Sequence, residues 1–356
     1  MPPKFSAYLD IVRFTAALTV FLGHAAGRSW TGSFLWQTGA YGDTCVVVFF
    51  VLSGYVIGYV CDTKETDWKT YFVNRAARLW SVVIPALVLT FIIDYVGVRV
   101  APELYLGQPW YAGDMPVIRY IASLLMLQEF WSMSLVPGIN APFWSLSFEA
   151  VYYLVFGICF FARNRWKWIA IAVALLLSGP VITLLLPIWL LGFYSYHLTK
   201  RLRLSTPLNA LAFVLGLVML LMSPYLRKTG LIGFSVMDSP VLGRYMDAIG
   251  FFLNLVGAYG LCVNATPLPA RLAKIIAHVA GTTFVLYLFH RPLIQMFSYL
   301  GPADASSWGR RGLVIGGTLL LVYLATPATE VLRRYMRVRG MQFIVGRARP
   351  LIVKPR

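Results

Sequence analysis

About ten apolar runs, most near 20 residues long and joined by short, mostly basic connections, fill this chain between residues 11 and 330. A helix needs roughly 20 apolar residues to cross the hydrocarbon core of a bilayer. A water-soluble domain has no way to bury so many such surfaces. Only 13% of the residues are charged, against about 25% in soluble domains, and the mean hydropathy is +0.70. The sequence therefore predicts an all-α polytopic membrane protein with spans near 11–28, 44–61, 80–97, 144–162, 168–183, 185–199, 208–224, 246–263, 279–298 and 311–330. No stretch between them is long or polar enough for a separate soluble domain, so residues 1–340 read as one transmembrane domain and 341–356 as a basic tail. The start, MPPKFSAYLDIVRF, lacks a clustered basic region and a small-residue cleavage site, so the first run is expected to be retained.

The net charge of +17 could signal nucleic acid or positive-inside topology. Loop counting decides. With the N-terminus inside, the cytoplasmic segments hold 21 of the 31 basic residues and the outer ones roughly 8. An N-in, C-in arrangement follows, and nucleic acid drops out as a partner. Residues 117–131 (VIRYIASLLMLQEFW) resist this scheme, because they are apolar but short and contain Arg119, Gln128 and Glu129. Counting them as a span would reverse the basic segment 163–167, so they are expected to form a re-entrant or interfacial helix on the outer side. Cys45, Cys61, Cys159 and Cys262 lie in or beside apolar runs without metal-ligand spacing and read as free thiols, with no metal site.

Ionisable residues inside a span are costly and point to function by default. Arg13 and His24 stand eleven apart in the first run, LDIVRFTAALTVFLGHAAG. Eleven helical steps of 100° bring both side chains to one face, roughly 16 Å apart along the axis. His24 is either a packing histidine bonded to a neighbour or a general base, the usual role of a neutral imidazole beside a hydroxyl. Asp10, one turn before Arg13, is placed to pair with it. Arg75 and Arg78 precede the third span; they are ordinary cytoplasmic anchors, or a pair on one helical face able to grip phosphates with Arg13.

The remaining candidates each carry two readings. Gly54 and Gly58 in FFVLSGYVIGY make a small-xxx-small packing motif, with Ser53 beside it as a pocket residue. WSLSFE opens the fourth span. Its Glu149, about one turn into apolar territory, is a second acid or base or a ligand for a sugar hydroxyl; Ser147 accompanies it; Trp144 is a sugar-stacking ring or a plain interfacial tryptophan. His290 in LYLFHRPLI is a structural or pocket residue, and Pro292 is expected to kink that helix. Glu330 and the arginines after it read as local ion pairs.

These stretches, in their order, resemble the membrane-bound acyltransferase-3 family of the O-antigen acetylase type. The resemblance rests on Arg-x10-His, FFVLSGYVI, NRAARLWSVVIP, WSLSFEAVYYL, LYLFHRPLI and Glu330 with its arginines, and it covers nearly the whole chain. Cys45 stands where the family often has glycine. The extracytoplasmic hydrolase-like domain that some members append has no counterpart in these residues. The resemblance implies transfer of an acyl group, usually acetyl from acetyl-CoA as co-substrate, to a hydroxyl of an envelope or exported glycan or lipid-linked sugar, with no permanently bound cofactor. It also implies that Arg13 and His24 are essential and that Arg75 and Arg78 are the family's cytoplasmic basic pair. Two rivals stay open at this point. One is a transporter or flippase for a lipid-linked anionic sugar, using the same arginines without chemistry. The other is acylation of a small molecule or lipid.

Overall fold

A computed structural model describes residues 1–345, and within them the chain is helical, with two isolated β-bridges and no strand. The helices are α1 (Pro3–Ala25), α2 (Gly42–Thr63), α3 (Trp68–Val100), α4 (Pro116–Leu124), α5 (Trp144–Phe161), α6 (Lys167–Ser178), α7 (Pro180–Arg201), α8 (Thr206–Lys228), α9 (Val241–Cys262), α10 (Ala270–Gly281), α11 (Thr283–Leu300) and α12 (Thr318–Val345). A short helix, Trp308–Gly312, and a wide turn, Leu313–Gly317, lead into α12. The last helix runs past the expected boundary at 340, and the rest of the tail lies outside the described residues.

Eight of these helices are long and apolar enough to cross a membrane, and the bent pair α10–α11 makes a ninth. The fifth expected span, 168–183, is instead the 12-residue α6. At 1.5 Å per residue it rises only about 18 Å, short of a bilayer core of about 30 Å. Gly179, at φ 93°, ends it five residues earlier than the apolar run suggests, and Pro180 starts α7 at once. Space beyond that turn is taken by the backbone of Trp131, which lies 2.8 Å from where a Cβ on Gly179 would sit.

Trp131 belongs to the segment that resisted a simple span. The ring of Tyr120 in α4 meets Phe91 of α3, and the carbonyl of Leu124 accepts a bond of 3.0 Å from the Trp80 indole. From 120 to 124 the contacts thus move from Phe91 back to Trp80, so α4 runs antiparallel to α3. The chain then returns: Asn140 Nδ2 donates to Thr90 Oγ1 at 2.9 Å, and Ile139 N to Asp94 Oδ2 at 3.1 Å. This is a re-entrant path, with a helix of nine residues. Arg119 ties its limbs together, donating to Asp114 at 2.8 Å and to the Ser134 carbonyl at 2.9 Å.

The marked bend of the ninth span, 44°, falls between α10 and α11 and not at Pro292. Proline lacks the N–H that would serve the Leu288 carbonyl. Asn140 Nδ2 serves it at 2.9 Å, so α11 passes through Pro292 unbroken. Inside a bilayer a freed carbonyl must be met by a neighbour in this way.

The central helix is α2, of whose most apolar stretch 72% is buried, whereas α8 at 17% lies at the edge facing lipid. Gly54 and Gly58 let α2 approach α7. A Cβ on Gly54 would meet the Trp189 carbonyl, and one on Gly58 would lie 3.0 Å from Tyr196 Cβ. The packing reading of this motif therefore holds for the glycines, while the Ser53 hydroxyl meets Glu149 and the Trp189 indole. Overpacking such a contact costs about 1–3 kcal/mol. Gly54→Ala is accordingly expected to lower the melting temperature of the purified protein by several degrees. Gly42→Ala, with nothing within 4 Å, is the neutral control. Equal melting of the two variants would show that this close approach does not hold α2 to α7.

Candidate active site

A cavity opens between α1, α2, α3, α5, α12 and the α10–α11 bend, with about 1200 Å³ of atom-free space including its mouth. Arg13, Arg78, Glu330 and Arg333 line one end, Ser53, Glu149 and Tyr153 the middle, and Ser145, Phe49 and Tyr287 the other end. Along α5 its lining runs from Tyr153 through Glu149 to Ser145, which meets Tyr287.

The basic end is only partly neutralised. Arg333 pairs with Glu330 at 2.8 Å, and Arg13 with Asp10 at a looser 3.7 Å. Arg78 makes no ion pair among the described residues. A guanidinium without a carboxylate, in a recess beside two others, is suited to phosphate, which it can bind with two parallel N–H bonds.

Midway, Ser53 and Glu149 share one network. Ser53 Oγ donates to Glu149 Oε1 at 3.3 Å and accepts from the Trp189 indole at 3.2 Å. The Tyr153 hydroxyl donates to the same carboxylate oxygen. Tyr153 stands four residues after Glu149, so an i, i+4 relation in WSLSFEAVYY was available to find it.

His24 does not line this cavity. It pairs with His290, Nδ1 to Nε2 at 2.8 Å, on the far side of Tyr287. The Tyr287 ring lies 6.4 Å from that of His290, one turn along α11, and its hydroxyl meets Ser145 Oγ at 2.8 Å. Tyr287 thus separates the end of the cavity from the histidine pair. His290 is fully buried, while His24 is partly exposed. The spacing that sets Arg13 and His24 on one face of α1 holds, but the two residues look into different spaces.

Three other candidates sit elsewhere. Arg75 is buried away from the cavity. It donates to Glu65 Oε1 at 2.9 Å and lies over the rings of Tyr71 and Tyr153, each 5.7 Å away. Its position three residues from Arg78 rotates it by about 60°, enough to face the α5 side. The expected twin grip of Arg75 and Arg78 is therefore absent. Ser147, fully buried, accepts from the backbone N–H of Glu129 at 3.2 Å and anchors the re-entrant segment. Trp144 is covered by the Arg244 guanidinium at 5.1 Å instead of facing the cavity.

Arg244 belongs to a cluster that single-residue reading missed. Asp43 bonds both Arg227 at 2.7 Å and Arg244 at 2.8 Å, and Arg227 also bonds the fully buried Asp247 at 2.7 Å. These four charges join α2, α8 and α9 beside the far end of the bundle. Each looks like an ordinary helix-end charge in the sequence, and only the packing of three helices brings them together.

Comparison with known proteins supplies a class of chemistry. The family model described as an acyltransferase domain matches residues 6–329. The acyltransferase MdmB of Streptomyces mycarofaciens is 25% identical over 406 aligned positions, covering 100% of this chain and 97% of that protein. An O-acetyl transferase of Shigella phage Sf6 is 25% identical over 225, covering 59% of this chain and 61% of that protein. No solved structure matches.

The two arginines before the third span should separate in a stability assay. Removing one partner of a buried ion pair costs about 3–5 kcal/mol, because the other charge is left uncompensated. Arg75→Ala, which strands Glu65, is expected to lower the thermal stability of the detergent-solubilised protein sharply. Arg78→Ala should melt close to the unaltered protein. Equal melting curves would contradict the assignment of Arg75 to the fold.

Proposed function

The chain belongs to the acyltransferase-3 family of membrane-embedded enzymes, and on that premise we propose that it moves an acetyl group from acetyl-CoA to a hydroxyl of a cell-envelope or exported carbohydrate. Family and helices together make it a multi-pass membrane O-acyltransferase. The donor, the acceptor and a bacterial cytoplasmic membrane as its location are the further steps taken here. The O-acetyl transferase among its relatives supports acetyl as the group.

One observation carries the proposal. A cavity lined by three guanidiniums extends along α5 to Tyr287, beside which stands the pair of His24 and His290. An acyl-CoA has matching polarity: phosphates at one end, an extended pantetheine arm, and a thioester at the tip. Arg78, Arg13 and Arg333 take the phosphates from the cytoplasmic side. The arm passes Ser53 and Glu149, and the thioester arrives at Tyr287, the side chain it must pass to reach His24. Helix arithmetic gives roughly 16 Å between Arg13 and His24, a reach of the order of the arm.

The acceptor hydroxyl approaches His24 from its exposed side. His24 takes the hydroxyl proton as the oxygen attacks the thioester carbonyl. The tetrahedral intermediate then expels the CoA thiolate, which receives the proton from the imidazolium, leaving ester and free thiol. Such general-base help is typically worth 10²–10⁴-fold. A transporter of an anionic lipid-linked sugar would use the same arginines, yet it would have no task for the histidine pair.

Purified protein supplied with acetyl-CoA and a glycan acceptor should release thiol. His24→Ala, correctly inserted, is expected to lower that rate roughly 10²–10⁴-fold. Normal acylation by this variant would remove His24 from the chemistry. Arg78→Ala should raise KM for acetyl-CoA about tenfold to a hundredfold, the worth of one charge-assisted bond, with kcat nearly unchanged. Mass spectrometry of envelope glycans from a deletion strain should show loss of an O-acetyl ester; an unchanged glycan would overturn the proposed acceptor.

A further inference from the structure

The bonds of His290 dictate which nitrogen of His24 carries the proton. His290 Nδ1 lies 2.8 Å from the carbonyl oxygen of Leu286, one turn back along α11. A carbonyl can only accept, so Nδ1 is the protonated nitrogen. The neutral His290 ring then has its lone pair on Nε2, which lies 2.8 Å from His24 Nδ1. His24 must supply the hydrogen of that bond. Its own proton therefore sits on Nδ1, and its Nε2 is left bare. The two rings lie 11° from parallel with centroids 5.1 Å apart, the arrangement of two imidazoles meeting edge to edge. N–H and lone pair both lie in the ring planes, so they face each other directly.

The surroundings hold this chain of bonds in place. His290 is 0% exposed, and the neighbouring Arg291 lies over the Trp30 ring at 4.2 Å. Pro292, two residues on, leaves α11 unbroken, with Asn140 taking the Leu288 carbonyl. His24 Nε2 has no hydrogen-bond partner among the described residues.

We infer that His290 is a positioning residue that fixes His24 as the Nδ1–H tautomer, so that the bare Nε2 is the atom offered to the acceptor hydroxyl. This rests on the proposed role of His24 as general base. An unconstrained imidazole favours the proton on Nε2 and would present an N–H where a lone pair is needed. A base must also be oriented to work, and the Leu286–His290–His24 chain fixes the ring plane as well as the proton.

The chain has four histidines, so 15N-histidine labelling gives a readable spectrum. Both His24 and His290 are expected to show a protonated Nδ1 and a bare Nε2. His290→Gln sets an amide oxygen about where Nε2 stood; it should keep His24 protonated on Nδ1 and hold kcat within about tenfold. His290→Leu keeps the bulk but removes the acceptor; His24 should shift to Nε2–H and kcat fall roughly 10²-fold or more, with KM for acetyl-CoA unchanged. A proton on His24 Nε2 in the unaltered protein overturns the inference, as does a Leu variant as active as the Gln variant. Should the Leu variant fail to fold, the spectrum of the unaltered protein still decides. An active His24→Ala would instead overturn the proposed base, so the two failures are told apart.

Discussion

Inside a bilayer, a polar group that the protein does not satisfy has no water to turn to, and the arrangement of this molecule follows from that constraint. It makes every span a helix. It also explains why several charges and one freed carbonyl within the bundle find partners on other helices. Pro292 removes a donor, and Asn140 replaces it across helices at 2.9 Å. Asp247, with no exposed surface, is held by Arg227, which Asp43 shares with Arg244. Arg75 is held by Glu65. Of the three arginines that line the cavity, Arg78 is the one with no carboxylate partner among the described residues.

The same constraint divides the site into two compartments. Arg13, Arg78, Ser53 and Glu149 share the cavity, whereas His24 is bonded to His290 behind Tyr287. Tyr287, bonded to Ser145 and packed against both Phe49 and His290, is the side chain on which that division rests.

Several sequence motifs turned out to carry two functions side by side. In FFVLSGYVIGY the glycines seat α2 on α7 while Ser53 faces the cavity. In WSLSFE, Ser147 anchors the re-entrant chain and Trp144 lies under Arg244, and Glu149 alone of the three reaches the cavity. Neighbouring residues on a helix point in different directions, so a motif is a set of faces and seldom a single site.

Apolar run lengths, loop charge and motif order by themselves determined that this chain is a polytopic helical membrane protein, and they pointed to its family. They also set Arg13 and His24 on one helical face, since helix periodicity is a local property of the chain. They set residues 117–131 apart as re-entrant or interfacial, because a short apolar stretch with three polar residues could not span. Tertiary structure alone decided the rest. The apolar run at 168–183 became the short α6 because Gly179 turns it against the re-entrant chain. Arg75 stands outside the cavity lining because Glu65 and Tyr153 meet it elsewhere. His290, 266 residues from His24, became its hydrogen-bond partner. Which side chain finds which partner across helices depends on how the helices pack, and no local pattern encodes a contact between residues so far apart in the chain.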